Sequence, residues 1–399
     1  MAASLEGKRV LVLYDSWSLT PRILIQLETL RKGNMQISLL RWVRDEHLMP
    51  AEDSTIDVLV PAASGRVSIV LALPRLFKAM NKKAAELKFD IIQVCSLTIL
   101  PLALYLAKIH GVPVVYDAYE YYAYNFARHC GRIGKPVTRF LEFLENMLIA
   151  KVAGVITVDS FEDSLIRRYR RFNPNATVLY NVPQLEIISP EEENKRPGEI
   201  EREKIYLAYV GGFSEGIGGR QILGAMTLVR ERFANINLLL MGHTPEQDNI
   251  PGGLWHLAQN KAHIVCLPFL PQSDMMQYLR RAKLGFALYQ DSEKYRRYGS
   301  RNSRKLFTYM AAGIPVIVSR LPLVADVVRE TGCGLIVDET SPAAIAEAIE
   351  YIITHKTEAE IMGQRGRQAI EEKYNSRIEE IKFWQVYQNA FAGRKGRSQ

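Results

Sequence analysis

Long apolar runs and a secretion signal are both missing from this chain of 399 residues. No apolar run reaches the ~18 residues that a transmembrane helix needs. The longest candidate, Ile91–Ala107, is interrupted by polar side chains and a proline. The first residues lack the apolar core of a signal peptide. We therefore expect a cytoplasmic protein that is either soluble or peripheral at the inner face of the cell membrane.

Cysteine is scarce, and its spacing is uninformative. Four cysteines lie far apart and form no Cys-x-x-Cys pair, namely Cys95, Cys130, Cys266 and Cys333. This pattern favours reduced thiols in a reducing compartment and excludes a disulfide framework. It also argues against a metal site, so we expect neither a metal nor a cofactor.

A concentrated charge bias is absent as well. The net charge is +8 and the pI is about 9.1. Residues 1–187 and residues 205–399 each carry +5, and residues 188–204 carry −2. The even split excludes a basic nucleic-acid-binding tail, and no basic–aromatic module is present. We therefore expect no nucleic-acid partner.

Ordinary globular composition, with 48% hydrophobic and 24% charged residues, favours a folded chain of about two domains. Short apolar strands alternate with amphipathic helices twice along the sequence. This alternation predicts two doubly wound, Rossmann-like parallel sheets in an α/β fold. The predicted organisation is an N-terminal domain 1–187, a linker 188–204, a C-terminal domain 205–375 and a helical segment 376–399.

Two such domains in tandem form a cleft, and clefts between domains are preferred ligand sites. The segment 376–399 carries Trp384, Tyr387 and Phe391 at helical spacing. It is either a capping helix or a helix that crosses back to the N-terminal domain. Aromatic side chains bury well at such an interface.

A glycine-rich loop follows the first strand of the C-terminal half. Residues 211–220 read GGFSEGIGGR and lie between a strand and a helix. Glycine lets backbone N–H groups approach an anion, and a helix N-terminus adds partial positive charge. The loop is either a nucleotide-diphosphate site or a flexible turn. It does not match a P-loop.

A second anion-binding candidate is the basic stretch 294–305. It runs into a predicted helix and contains Arg301, Asn302, Ser303 and Lys305. Basic and hydroxyl side chains at a helix N-terminus suit a phosphate. A solvated basic loop is the alternative.

The segment that begins at Ser303 carries the most specific similarity, and it reads SRKLFTYMAAGIPVIVS. It resembles the nucleotide-sugar segment of family 4 (group 1) glycosyltransferases, which have the two-domain GT-B fold. Further segments agree in order along the chain, namely VPVVYDAYEYY, VITVDS, TVLYNVP, YVGGFSEG and CLPFLPQSDMMQYLRRAKLGFALY. The resemblance thus spans nearly the whole sequence.

The resemblance implies a retaining, metal-independent transfer of a sugar from a nucleotide donor, expected to be UDP-linked. The acceptor would be a surface polysaccharide or a lipid-linked glycan. The implied donor-binding residues are Gly211, Gly212, Phe269, Leu270, Ser303, Lys305 and Thr308. The implied catalytic residues are Asp117, Tyr119 and Glu120, placed near the transferred sugar. The leaving phosphate would help to deprotonate the acceptor.

Several motif positions depart from the family pattern. Thr308 replaces a glutamate, Gly212 an arginine, Ile217 a lysine and Tyr119 a histidine. As a hypothesis, Arg220 or Arg301 compensates for the missing cations. The alternative is a catalytically inactive glycosyltransferase-like subunit that binds or regulates an active partner.

One basic run outside the motifs suggests a surface. Arg167, Arg168, Arg170 and Arg171 lie at the end of a predicted helix. They either form a solvated face or contact an anionic membrane. The preceding predicted helix, 136–152, carries an apolar set that belongs either to the core or to a membrane face, and we expect the core. The set is Phe140, Leu141, Phe143, Leu144, Leu148 and Ile149.

Overall fold

The computed structural model describes residues 5–16, 19–44, 55–62, 66–128, 130–158, 165–182, 200–201, 203–243, 253–291, 303–322 and 324–395. The chain divides into two compact units. The first comprises Met1–Leu179 and Glu380–Gln399, and the second comprises Tyr180–Glu379. Most of the predicted linker 188–204 lies outside the described residues.

The first unit is built on a seven-stranded sheet in the order β3-β2-β1-β4-β5-β6-β7, and all its pairings are parallel. The strands are β1 (Arg9–Tyr14), β2 (Gln36–Val43), β3 (Thr55–Leu59), β4 (Ile91–Cys95), β5 (Val114–Ala118), β6 (Gly154–Thr157) and β7 (Ala176–Val178). The central strands are short apolar runs, buried along their length, as a sheet covered on both faces requires.

Helices follow β1, β3, β4, β5 and β6, in keeping with the crossovers that parallel pairing requires. They are α1 (Pro21–Lys32), α2 (Arg66–Ala84), α3 (Leu100–His110), α4 (Tyr122–Ala127), α5 (Gly134–Ile149) and α6 (Leu165–Arg170), with a 3₁₀ turn at Gly131–Ile133. Pro21 begins α1, where its missing N–H has no helical partner to lose. Gly111 ends α3 in the left-handed conformation.

The second unit contains a six-stranded parallel sheet in the order β10-β9-β8-β11-β12-β13. Its strands are β8 (Ile205–Val210), β9 (Ile236–His243), β10 (Ile264–Pro268), β11 (Ala282–Ala287), β12 (Val316–Ser319) and β13 (Gly334–Val337). Its helices are α7 (Gly219–Arg230), α8 (Leu254–Gln259), α9 (Gln272–Leu279), α10 (Arg304–Ala312), α11 (Val324–Thr331), α12 (Pro342–Thr354) and α13 (Lys356–Glu372). A 3₁₀ turn, Glu215–Ile217, precedes α7.

The last helix, α14 (Ser376–Lys395), leaves the second unit and belongs to the first from Glu380 onward. Phe383, Trp384 and Tyr387 are buried in the core formed by β1, β4 and α1. Trp384 packs so closely on Gly33 that a Cβ there would lie 2.4 Å from the indole ring. The aromatic residues of this segment therefore close the core of the N-terminal unit.

The fold class predicted from the sequence is confirmed: both units are α/β with a parallel sheet. In each sheet the strand order reverses between the first and fourth strands, β1/β4 and β8/β11. Ligands of such sheets bind outside the carboxyl ends of the strands at this point. Four elements were not predicted, namely β3, α4, α8 and α11. Each has at most eight residues, which is too short for periodicity to identify it.

Candidate functional site

Lys305 and Tyr209 form the centre of a cluster at the switch point of the second sheet. The Lys305 ammonium donates to the Tyr209 hydroxyl at 2.8 Å and lies 4.0 Å from the ring centroid. The same hydroxyl donates to the Gly212 carbonyl at 3.0 Å. A buried tyrosine thereby joins the first turn of α10 to the glycine loop after β8.

The charge of Lys305 is only weakly compensated. Within the described ranges, no carboxylate forms an ion pair with its ammonium. Burial lowers the pKa of Lys305 to about 7. A half-buried cation with no ion-paired carboxylate among the described residues is stabilised by an incoming anion, so this site favours a phosphate.

Ser303 caps α10 beside this lysine. Its hydroxyl accepts from the Leu306 N–H at 3.3 Å and from the Tyr289 hydroxyl at 2.7 Å. The Tyr289 N–H in turn donates to the Ser319 hydroxyl at 3.1 Å. These bonds fix the N-terminus of α10, where the orphan N–H groups and the helix dipole favour an anion.

The glycine loop owes its shape to two glycines with positive φ. Gly211 has φ +96° and donates to the Met241 carbonyl at 2.7 Å. Gly242, at φ +114°, lies so close that a Cβ there would be 3.0 Å from the Gly211 backbone. The positive φ disfavours a side chain at both positions, and at Gly242 a side chain would also crowd the Gly211 backbone. The Gly211–Gly212 backbone lies at the carboxyl end of β8.

Other predicted donor-binding residues are engaged locally. Arg220 forms an exposed ion pair with Glu215, and its Nε lies 3.0 Å from the carboxylate. The Thr308 hydroxyl donates to the Arg304 carbonyl within α10 at 2.8 Å. Neither contact replaces a missing motif side chain.

Of the remaining predicted donor-binding residues, two lie among the described residues and two do not. Phe269 follows β10 with an exposed ring, and Leu270 is half-buried against the core. Arg301 and Asn302 lie outside the described residues.

In the first unit, Asp117 lies inside the protein rather than on its surface. Its carboxylate accepts from Arg22 through two hydrogen bonds, of 2.9 and 3.1 Å, and from Gln26 at 2.8 Å. Gln93 donates to Gln26 at 2.6 Å and accepts from Tyr387 of α14. Asp117 therefore anchors a buried polar network that extends to the C-terminal helix.

Tyr119 and Glu120, the other two predicted catalytic residues, follow directly after β5. Tyr119 is half-buried and packs edge-on against Tyr122, with ring centroids 5.8 Å apart. Burial raises the pKa of Tyr119, so its hydroxyl stays protonated at neutral pH. Glu120 is exposed and accepts from Asn125 at 2.9 Å.

Sequence reasoning missed a polar group at the switch point of the first sheet. Tyr14 pairs with Cys95 in the parallel register, so Asp15 and Ser96 leave β1 and β4 side by side. Burial raises the pKa of Asp15, and the Ser96 and Thr98 hydroxyls partly offset this by hydrogen bonding. The sequence signal that could have identified this group is its position. A polar residue directly follows each of the two strands that flank the reversal in strand order.

The basic run at the end of α6 does not act as one surface. Arg168 turns inward and pairs with Glu145, which also accepts from the hydroxyls of Tyr116 and Tyr169 at 2.9 Å each. Because the buried Glu145 carboxylate requires a cation, Arg168 is removed from the predicted membrane-facing set. The other three arginines of the run, Arg167, Arg170 and Arg171, are exposed.

The expected burial of the preceding helix is confirmed for Ile149 but was wrong for three of its apolar residues. Phe140, Phe143 and Leu144 on α5 are exposed. Helical periodicity showed that these residues share a face, but it does not say whether that face meets the core or the solvent.

Two further properties bear on ligands and location. Among the residues that the structure describes, no group of three or more His, Cys, Asp or Glu side chains is placed to hold a metal ion. Over the same part of the chain, no helix combines the length and apolarity needed to cross a membrane.

Comparisons with known proteins now place the chain in a family. Residues 190–369 match the family model described as glycosyl transferases group 1. Residues 30–182 match the glycosyl transferase 4-like domain. A curated relative, the capsular polysaccharide biosynthesis glycosyltransferase CapM of Staphylococcus aureus, is 22% identical over 172 residues. That alignment spans 43% of each chain, so less than half of the curated relative is matched.

Solved structures extend the similarity over the whole fold. Sucrose-phosphate synthase from Thermosynechococcus elongatus superposes with a TM-score of 0.74 at 15% identity, covering 97% of this chain and 100% of that one. Anabaena HepE in complex with UDP and glucose gives 0.71 at 13% identity, covering 96% and 100%. At such identities the likeness shows the fold. With both halves matched by the corresponding family models, the chain belongs to the group 1 glycosyltransferases of the family 4-like kind and has the GT-B fold.

Proposed function

We propose that this protein is a retaining, metal-independent glycosyltransferase. It transfers a sugar from a UDP-linked donor to a surface-polysaccharide or lipid-linked glycan acceptor. The family models support transfer of a glycosyl group. A similar fold has been solved with UDP-glucose bound in Anabaena HepE, and the CapM relative acts in capsular polysaccharide biosynthesis.

The observation that carries the proposal is the group formed by Lys305, Tyr209 and Gly212. It places a cation, a helix N-terminus and a glycine backbone together at the switch point of a parallel sheet. These are the elements that bind a diphosphate in other α/β proteins. They also stabilise the negative charge that develops on a departing phosphate. Such electrostatic stabilisation of the transition state is usually the largest contribution to catalysis.

The proposed reaction is a substitution at the anomeric carbon. The bond between the sugar and the β-phosphate oxygen breaks, and a bond to the acceptor oxygen forms. The leaving diphosphate takes the electron pair of the broken bond, and the acceptor proton passes to its oxygen. Lys305 and the N-terminus of α10 stabilise that diphosphate. Tyr119 of the N-terminal unit stays protonated at neutral pH, so its hydroxyl is able to donate a hydrogen bond to a substrate.

Calorimetric titration with UDP, GDP and dTDP tests the donor site, and hydrolysis of UDP-sugars tests turnover. We expect UDP to bind, and we expect Lys305→Ala to weaken binding by about a hundred-fold, because a charge-assisted contact contributes ~1.5–3 kcal/mol. Lys356→Ala is the matched control, since Lys356 is an exposed lysine of the same unit. Equal nucleotide binding by both variants would contradict the donor site.

A catalytically silent subunit that binds or regulates an active partner is the second candidate. The observation that favours it is the local engagement of Arg220 and Thr308, which leaves two departures from the family motif uncompensated by those side chains. This candidate predicts nucleotide binding without hydrolysis or transfer. Turnover that is lost in Lys305→Ala and reduced in Tyr119→Phe would exclude it.

A further inference from the structure

Large apolar side chains cover the outer face of α5 in the N-terminal unit. Phe140 and Phe143 are each 60% exposed, Met147 is 48% exposed and Leu144 is 37% exposed. Ile133, in the turn before the helix, is 62% exposed. Single exposed apolar residues are ordinary, but five on one helical segment form a continuous patch of the kind that marks an interaction surface.

Helical spacing puts these residues on one side. Phe140, Phe143, Leu144 and Met147 follow one another at intervals of three, one and three residues, which is the pattern of a single helix face. The opposite side carries Glu145 and Ile149, both buried. The helix is therefore amphipathic, and its apolar side faces away from the core.

The fully exposed charged residues of α5 and of the turns that flank it are all basic. Arg132, Lys135 and Arg139 are exposed at its N-terminal end, and Lys151 is exposed just beyond its C-terminal end. On the helical repeat, Arg132 and Arg139 flank the apolar residues directly, and Lys135 lies one step farther round.

The two acidic residues of α5 turn inward. Glu145 is buried among Tyr116, Tyr169 and Arg168. Glu142 accepts from the Tyr121 hydroxyl and lies 3.5 Å from the Arg168 guanidinium. The exposed face of α5 therefore combines apolar and basic side chains and has no carboxylate of its own helix.

We infer that this face, which we call the α5 face (Arg132, Ile133, Lys135, Arg139, Phe140, Phe143, Leu144, Met147 and Lys151), docks on an anionic phospholipid bilayer. Phenylalanine with leucine on one side and Lys/Arg at the rim is the composition of helices that lie in the membrane interface. The apolar side chains enter the acyl boundary, and the basic ones pair with lipid phosphates. This inference does not depend on the proposed transferase activity.

Charge argues against the main alternative occupant, a second copy of this chain. A symmetric contact places the same patch against itself, so the basic rims of two α5 faces would meet. Like charges opposed across an interface oppose association. An anionic bilayer supplies both the apolar layer and the opposite charge.

The adjoining surface continues the same chemistry. Beyond Leu148 and Lys151, a groove of the N-terminal unit is lined by Tyr105, Lys108 and Phe172. Tyr105 and Phe172 are about half exposed. Exposed apolar and basic side chains are therefore found beside α5 as well as on it.

Vesicle flotation with the full chain tests the inference. One probe is vesicles in which one third of the lipid is phosphatidylglycerol and the rest is phosphatidylcholine. The other probe is vesicles of phosphatidylcholine alone. We expect binding to the anionic vesicles that weakens with salt and is lost on the neutral ones. Binding to neither, or equally to both, would overturn the assignment.

Two variants separate the apolar and the basic contributions. Phe140→Ser with Phe143→Ser removes the apolar anchors, and Arg132→Gln with Lys135→Gln and Arg139→Gln removes three charges. The charge variant should lose about a hundred-fold in partition coefficient, since each basic residue near the surface contributes roughly five-fold. Ile361→Ser, at an exposed apolar residue of α13, is the matched control and should bind like the wild type.

A depth measurement identifies the occupant. Lipids with brominated acyl chains should quench the tryptophan fluorescence of Phe143→Trp more strongly than that of the wild type, because the new indole enters the acyl boundary. Sedimentation velocity without lipid is run in parallel. A dimer that the double serine variant abolishes, together with no quenching in Phe143→Trp, would assign the α5 face to a second copy and overturn membrane docking.

Discussion

The ammonium of Lys305 lies 2.8 Å from the hydroxyl oxygen of Tyr209, and that hydroxyl donates to the Gly212 carbonyl at 3.0 Å. Tyr209 is buried, and its ring packs edge-on against Phe213 at 5.0 Å. One rigid side chain thus sets the position of both the cation and the glycine loop. Lys305 and Tyr209 are 96 residues apart in sequence.

Replacing Tyr209 by phenylalanine should separate positioning from charge. Tyr209→Phe keeps the ring but removes both hydrogen bonds, so Lys305 and the Gly212 carbonyl lose their common partner. We expect UDP affinity to fall by about ten-fold, the equivalent of one net hydrogen bond of ~1–1.5 kcal/mol. The measurement is calorimetric titration.

Tyr206→Phe is the control on the same strand. Tyr206 is buried, and its hydroxyl accepts from the Glu201 N–H at 3.1 Å, so this variant also loses a hydrogen bond. Its UDP affinity should match the wild type. An equal loss of affinity in both variants would show that strand stability, rather than the link to Lys305, governs binding.

The pKa of Lys305 gives the nucleotide site a pH dependence of predictable sign. Because burial holds this pKa at about 7, the ligand-free lysine becomes neutral as pH rises above that value. A bound diphosphate favours the protonated form. UDP affinity should therefore weaken by up to about ten-fold between pH 7 and pH 8.5. Lys305→Arg, which stays charged, should show a flat profile over this window.

The stability of the ligand-free protein should change in the opposite direction. The unfolded chain keeps the ordinary pKa of 10.5, so between about pH 7 and 10.5 it binds more protons at this lysine than the folded chain. The contribution of Lys305 to the free energy of unfolding therefore rises with pH over this range. The measurement is urea unfolding of the wild type and of Lys305→Met at pH 6.5 and pH 9. The change in the free energy of unfolding between the two pH values should be smaller in Lys305→Met, and the difference between the two proteins gives the contribution of Lys305.

Much of this donor-side cluster could be predicted from the sequence, because its parts are local. Glycines after a strand and a Ser-Arg-Lys segment before a helix are visible in a short window. The roles of Tyr209 and Tyr289 were not visible. Tyr209 lies in β8 and Tyr289 lies two residues after β11, each within or next to a buried apolar run. Each hydroxyl finds its partner only through the tertiary fold.

Two residues of the N-terminal unit also show that sequence patterns do not reveal long-range contacts. Asp117 follows the family motif, yet its carboxylate is held by Arg22 of α1, 95 residues away in sequence. The outward turn of Phe140 depends on which side of α5 meets the sheet. That side is decided by Glu145, whose buried partners come from β5 and α6. Periodicity marks an apolar stripe and leaves its orientation open.

Backbone crowding at the glycine loop predicts a specific loss. In Gly242→Ala the new Cβ would lie 3.0 Å from the Gly211 backbone, in addition to the strain of φ +114°. The loop must then move away from the carboxyl end of β8. We expect UDP binding to fall at least ten-fold while the far-ultraviolet circular dichroism stays native.

Gly313→Ala is the matched control in the same unit. Gly313 also has a positive φ, +72°, but a Cβ there would meet no atom within 4 Å. It should lose roughly 1 kcal/mol of stability from backbone strain alone and retain UDP binding. If Gly313→Ala lowered affinity as much as Gly242→Ala, strain rather than the displaced loop would explain the effect.

Two arginine–aspartate pairs of the N-terminal unit have the same chemistry but differ in burial, so they test how burial changes the effect of an ion pair on stability. The side chains of Arg22 and Asp117 are 9% and 2% exposed, whereas those of Arg9 and Asp90 are 36% and 26% exposed. Arg22→Met leaves a buried carboxylate without its cation, and we expect it to lower the free energy of unfolding by about 3–5 kcal/mol. Arg9→Met leaves Asp90 near water, and we expect a much smaller loss, because exposed ion pairs contribute little to stability. Urea unfolding followed by circular dichroism measures both. Similar losses in the two variants would mean that water reaches Asp117, which would also make that carboxylate available to a substrate.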